Sequence, residues 1–141
     1  MLNMEWTREH AVGVAGVDDE HKTLFRLCGD LRRAVESGAQ LAALQSIVND
    51  LAIHAAMHFT HEEREMRAAG YSLYAWHRRQ HQAARAKVAT LTRRVQRGDR
   101  EAARELSETT SKWMHDHIRL ADRMFGAYLR NYERMRAARA S

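Results

Sequence analysis

Apolar side chains along this 141-residue chain recur at intervals of three and four, the period of helices buried along one face. The first such stripe, Leu24, Phe25, Cys28, Leu31 and Val35, predicts a helix from about Asp19 to Ser37, with Asp18 as its N-cap and Gly38 as its stop. A second runs from about Leu41 to Ala69 through Leu44, Val48, Leu51, Ala55, His58 and Glu62, with Gly70 placed to end it. The third, capped by Ser72, carries His77, His81, Ala84, Val88, Leu91 and Val95. Gly98 and Asp99 form another stop and cap. The fourth helix then extends from Arg100 to about Ala121, with Leu106, Thr110, Trp113, His117 and Leu120 inward. Four helices joined by short loops imply antiparallel neighbours, so the pattern predicts an all-α, up-down-up-down four-helix bundle. Phe125, Tyr128, Leu129 and Tyr132 continue as a short stripe. The expected layout is one domain, 1–141, with a short N-terminal arm (1–17), the bundle (18–122) and a C-terminal helical extension (123–141).

Composition sharpens this picture without redirecting it. The chain has no proline, the residue that most disrupts helix interiors. The net charge of +5 permits attraction to anionic surfaces, but the arginines are dispersed and no nucleic-acid recognition motif accompanies them. Cys28 is the only cysteine, which excludes an intrachain disulfide and a thiolate-rich metal site. The first ten residues, MLNMEWTREH, lack the apolar segment of a signal peptide, and apolar runs are too short for a membrane span. A cytoplasmic location is therefore expected.

The chemistry lies where the pattern breaks its own rule. Helix-facing positions that should bury leucine hold His58 and Glu62, four apart, and His77 and His81, four apart. His117 and Asp122 follow on the fourth helix, and His21 stands in the first turn of the first. One neutral histidine in a core needs only one hydrogen bond and is ordinary. Five histidines and two carboxylates facing one core would each cost several kcal/mol, on the order of 2–7, if left unpaired. Imidazole nitrogen and carboxylate oxygen are good ligands for iron, zinc and similar ions, so the set points to metal. Seven side chains exceed the needs of one ion. With Glu62 and Asp122 each giving one oxygen to either metal, one ion with three histidines is saturated, and the other, with two, keeps a vacancy.

The segments VDDEH (17–21), HFTHEEREM (58–66), HRRQH (77–81) and WMHDHIRLAD (113–122) resemble the hemerythrin family, specifically its single-domain bacterial members, over roughly Trp6 to Tyr128. The resemblance implies a non-haem di-iron site with a bridging oxo or hydroxo group that binds dioxygen reversibly. It assigns His77, His81 and His117 to the saturated iron, His21 and His58 to the five-coordinate iron, and Glu62 and Asp122 to bridges. Neutral imidazoles outnumber carboxylates five to two, a donor set suited to binding O2 rather than activating it. The implied role is storage, transport or delivery of O2 to an oxygen-using enzyme, without catalysis. A sensor of oxygen or redox state acting through a separate signalling partner, or a di-iron oxidase or peroxidase, is the alternative.

Position along the helices adds further expectations. His117 and Asp122 are five apart, about 140° around a regular helix, so both reach one site only if the helix is distorted near 118–121. Phe25, Phe59, Trp113, Met114 and Ile118 are candidates for an apolar pocket lining. His10 is expected in solvent, His61 at a helix edge, and His115 away from metal. His54 is either a hydrogen-bonding neighbour of the ligands or a core or boundary residue. Glu63 and Glu65 face solvent or bond ligand N–H groups, Met66 packs in the core, and the arginines at 130, 134, 136 and 139 form a solvated face.

Overall fold

The computed structural model describes residues 4–140; the outermost parts of the arm and tail, 1–3 and Ser141, lie outside the described residues. A 3-10 turn at Arg8–His10 precedes α1 (Ala15–Glu36), α2 (Leu41–Ala68), α3 (Tyr74–Gln96) and α4 (Arg100–His117). A π-helical turn, Ile118–Asp122, joins α4 to α5 (Arg123–Ala140) without a loop. No strand occurs among the described residues. α1 packs on α2 and α4, and α3 completes the ring between α2 and α4, so the four long helices form an antiparallel bundle.

The apolar stripes fill that ring. Phe25, Cys28, Leu31, Leu44, Val48, Leu51, Leu91, Val95 and Leu106 are all buried in one cluster. Gly70 ends α2 with a positive φ of 63°, and the Tyr71 amide reaches back to the Met66 carbonyl at 2.9 Å, which satisfies a terminal carbonyl of the helix. Asp99 caps α4 by accepting from the amides of Glu101 and Ala102.

Three local expectations are corrected. α1 begins at Ala15, four residues early, because Asp18 accepts from the Val12 and Gly13 amides from inside the first turn instead of standing before it. Ser72 does not cap α3; Leu73 holds the N-cap position without a side-chain bond. Leu120 is 58% exposed, because the π turn rotates it out of the inward stripe.

The arm and tail are locked to one another. Phe125 and Leu129 of α5 pack with Met66, Ala69 and Tyr71 in a second apolar cluster, and the Tyr128 hydroxyl donates to the Ala69 carbonyl at 2.6 Å. Arg123 and Arg130 donate to the carbonyls of Glu9 and Val12, so Arg130, though exposed on the solvated face as expected, also ties the tail to the arm. Gly126 is where the arm crosses α5: a Cβ there would meet the Val12 carbonyl oxygen at 2.5 Å.

Candidate metal centre

All seven expected side chains converge at one end of the bundle core. His21 comes from α1, His58 and Glu62 from α2, His77 and His81 from α3, His117 from the end of α4, and Asp122 from the π turn. Each is at most 4% exposed. They fall into two overlapping groups, Glu62, His77, His81, His117 and Asp122, and His21, His58, Glu62 and Asp122. The ligating atoms within each group lie within 4.8 Å of one another. Glu62 and Asp122 are common to both. The π turn is the distortion that the five-residue spacing requires: widening the turn between His117 and Asp122 brings Asp122 Oδ1 to 3.0 Å from Nε2 of both His117 and His77. Asp122 Oδ2 meanwhile lies 2.9 Å from His21 Nε2, and Glu62 Oε1 lies 2.7 Å from His77 Nε2.

The outer edges of the rings explain why the inner edges need a cation. His58 Nδ1 faces Glu20 at 3.2 Å, His81 Nδ1 faces Glu63 at 3.0 Å, and His117 Nδ1 faces the Gln80 side-chain oxygen at 2.9 Å. Each partner is an acceptor, so each of these Nδ1 atoms carries the proton, and in the neutral ring the corresponding Nε2 is a lone pair. Yet His81 and His117 place their Nε2 atoms 3.2 Å apart. Two lone pairs at that distance repel unless a positive ion stands between them and the carboxylates. None of the four oxygens of Glu62 and Asp122 has a hydrogen-bond partner, although all are buried. This donor set fits metal ions and is poorly satisfied by protein alone.

The neighbouring side chains hold the rings still. Trp113 stacks on His117 with centroids 4.2 Å apart, and Phe59 stacks on His81 at 4.3 Å. Arg85 pairs with Glu63 at 3.0 Å, and the exposed His61 meets the other oxygen of Glu20 at 2.8 Å. Glu20 and Gln80 are absent from the expected site because nothing in their helical register distinguishes them from solvated residues; Glu20 adjoins His21, and Gln80 adjoins His81.

Charge is unevenly distributed over the carboxylates. Burial, reinforced by the Asp122 carboxylate, pushes Glu62 well above the ordinary carboxylate range. Burial opposes ionisation of Asp122 as well, but His117, His21 and His77 together hold it well below that range. Burial and the nearby His117 and His77 lower His81 from 6.5 to about 2. The unfolded chain protonates this imidazole as the pH falls through its ordinary value, while the folded chain leaves it neutral. The His81 contribution to metal-free stability is thus complete above about pH 6.5 and is lost progressively towards pH 2. Glu62 acts in the opposite sense, so the share of His81 is read by comparison with His81→Leu. Chemical denaturation of both proteins across this range should show a shallower acid limb for the variant, and parallel limbs would contradict the assignment.

An apolar cavity of about 170 Å³ adjoins this cluster. Phe59, Trp113, Met114 and Ile118 line it as expected, together with Leu24, Leu51 and Val88; Phe25 does not. Phe25 instead packs against the rings of His10 and His115, with centroids at 4.6 and 5.4 Å. His10 is accordingly buried rather than solvated, its Nδ1 accepting from the Thr7 amide. His54 is exposed, so neither the ligand-supporting nor the core placement holds for it; the face it occupies turns outward from the bundle. Glu65 is exposed and Met66 is fully buried.

Residues 12–129 match the family model described as the Hemerythrin HHE cation binding domain. A bacteriohemerythrin of Methylococcus capsulatus (strain Bath) is 28% identical over 130 residues, covering 92% of this chain and 98% of the relative. A bacteriohemerythrin of Stenotrophomonas maltophilia is 28% identical over 125 residues, covering 89% and 80%. Among solved structures, one described as wild-type hemerythrin superposes with a TM-score of 0.82 at 28% identity, covering 88% of this chain and 95% of that one. Another, the crystal structure of a point mutant, gives 0.84 at 28% identity, covering 92% and 98%.

Proposed function

The chain belongs to the hemerythrin family, and from that membership we propose that it is a di-iron protein that binds O2 reversibly, for storage or for delivery to an oxygen-using enzyme. His77, His81 and His117 would hold one iron and His21 and His58 the other, with Glu62 and Asp122 shared. The observation that carries this reading is the asymmetry of the cavity. It reaches His21, His58 and Asp122, while His77, His81 and His117 are not among its lining residues. A small apolar gas is thereby led to the two-histidine side, where the donor set is one member short of the other group.

When bound, the irons would supply the electrons and the binding position that no side chain offers to O2. The protein's own contribution is orientation and exclusion. Glu20 fixes the His58 ring through its Nδ1–H, which aims Nε2 inward. Leu24, Phe59, Met114 and Ile118 keep water and other proton donors from the approach, which favours release of O2 unchanged.

The test is to load the protein with iron, reduce it without air, admit O2 and follow the visible spectrum while measuring iron per chain. A charge-transfer band that rises with O2 and disappears when O2 is removed, at two irons per chain, is expected. Immediate irreversible oxidation would replace the carrier by an oxidase or redox sensor, and an absence of iron would overturn the metal assignment.

A further inference from the structure

The cavity beside His21 and His58 is larger than a diatomic gas requires. At about 170 Å³ it is comparable to an engineered apolar cavity of about 150 Å³ that stays dry and binds benzene or xenon in another protein. Small side chains on neighbouring helices line it, Ala55 of α2 and Ala83 and Ala84 of α3, together with Leu51 and Val88 of the same two helices and Leu24 of α1. Few polar groups line it besides Thr109. The Thr110 hydroxyl already donates to the Leu106 carbonyl at 2.7 Å. Lys87 stands on the lining as an exposed residue, 3.4 Å from Glu105, and His21, His58 and Asp122 close the inner end. A charged or hydrogen-bonding guest would lose its hydration with little recompense, whereas a neutral apolar one would gain contacts along the apolar walls.

We propose that this cavity is a binding site for a small neutral hydrocarbon, about the size of one six-membered ring, and that its occupant obstructs the approach to the His21–His58 side. The binding itself needs no metal; only the obstruction rests on the function proposed above. A hydrocarbon dissolved in the surrounding medium would then slow oxygen uptake without touching the metal ligands.

Benzene is the probe, and the metal-free protein is the first sample. Titration followed by methyl NMR should give saturable shifts concentrated on Leu24, Leu51, Val88 and Ile118. Glycerol, similar in heavy-atom count but polar, should give none. Ala84→Leu and Ala55→Leu fill the cavity from different helices, and whichever retains the wild-type melting behaviour should lose the shifts. In the iron-loaded protein, saturating benzene should slow O2 association. Absent or non-saturable shifts, shifts scattered over the surface, or binding undiminished in a folded filled variant would overturn the site. An O2 association rate unchanged by bound benzene would overturn the obstruction. If the protein took up no iron, the metal-free titration would still decide the site, so failure of this inference and failure of the oxygen-binding reading are separable.

Discussion

Glu62→Leu is expected to abolish paired metal binding and, in the same protein, to raise the stability of the metal-free form. Glu62 is 1% exposed, both its oxygens lack hydrogen-bond partners, and burial beside Asp122 makes its ionised form costly. Leucine fills similar space without polar atoms, and removing a buried polar group that has no hydrogen-bond partner relieves a penalty of about 1–3 kcal/mol. For a domain of this size each kcal/mol corresponds to roughly 4 °C in Tm. His77 loses its 2.7 Å neighbour but keeps Asp122 at 3.0 Å, so its Nε2 is not left without a polar neighbour. With metal, the balance reverses, because both ligand groups lose the same shared member. Iron per chain should fall from two to one or fewer. Thermal melts with and without iron check both halves; a Glu62→Leu variant that still bound two irons, or whose metal-free form melted lower, would refute the argument.

The second large effect is expected outside the ligands. Glu63→Ala removes the acceptor of the His81 Nδ1 proton and strips Arg85 of its carboxylate partner. Loss of such an orienting partner typically weakens a metal site by about 10–100-fold. Glu63→Gln retains an oxygen for the Nδ1–H and should lose much less. Glu65→Ala, two positions on and exposed, should change nothing. Anaerobic iron titration against a competing chelator distinguishes the three, and equal affinities for Glu63→Ala and Glu65→Ala would remove Glu63 from the site.

Glu63 also shows where reading a sequence reaches its limit. Its neighbour Glu62 is recognisable because it occupies an apolar stripe, an anomaly visible within one helix. Glu63 lies one position off that stripe, and its role depends on His81, eighteen residues away on α3. Glu20 and Gln80 depend in the same way on side chains 38 and 37 residues distant. The π turn, by contrast, is legible, because the spacing of His117 and Asp122 is incompatible with a regular helix if both serve one site. The burial of His10 is not, and the expectation of a solvated residue fails there: nothing within the arm indicates that Phe25 and His115 will cover it.

The helices, their stops at glycine, their antiparallel order and the seven inward polar residues were thus determined by the sequence itself. Those features follow from backbone preferences and from a periodicity of three and four, which act over a few residues. Tertiary structure alone decided how the arm crosses Gly126, which outer residues orient the imidazoles, and which half of the cluster the cavity reaches. Each of these is set by side chains from different helices meeting at a few ångströms, and such meetings depend on packing angles and side-chain volumes that helical periodicity does not encode.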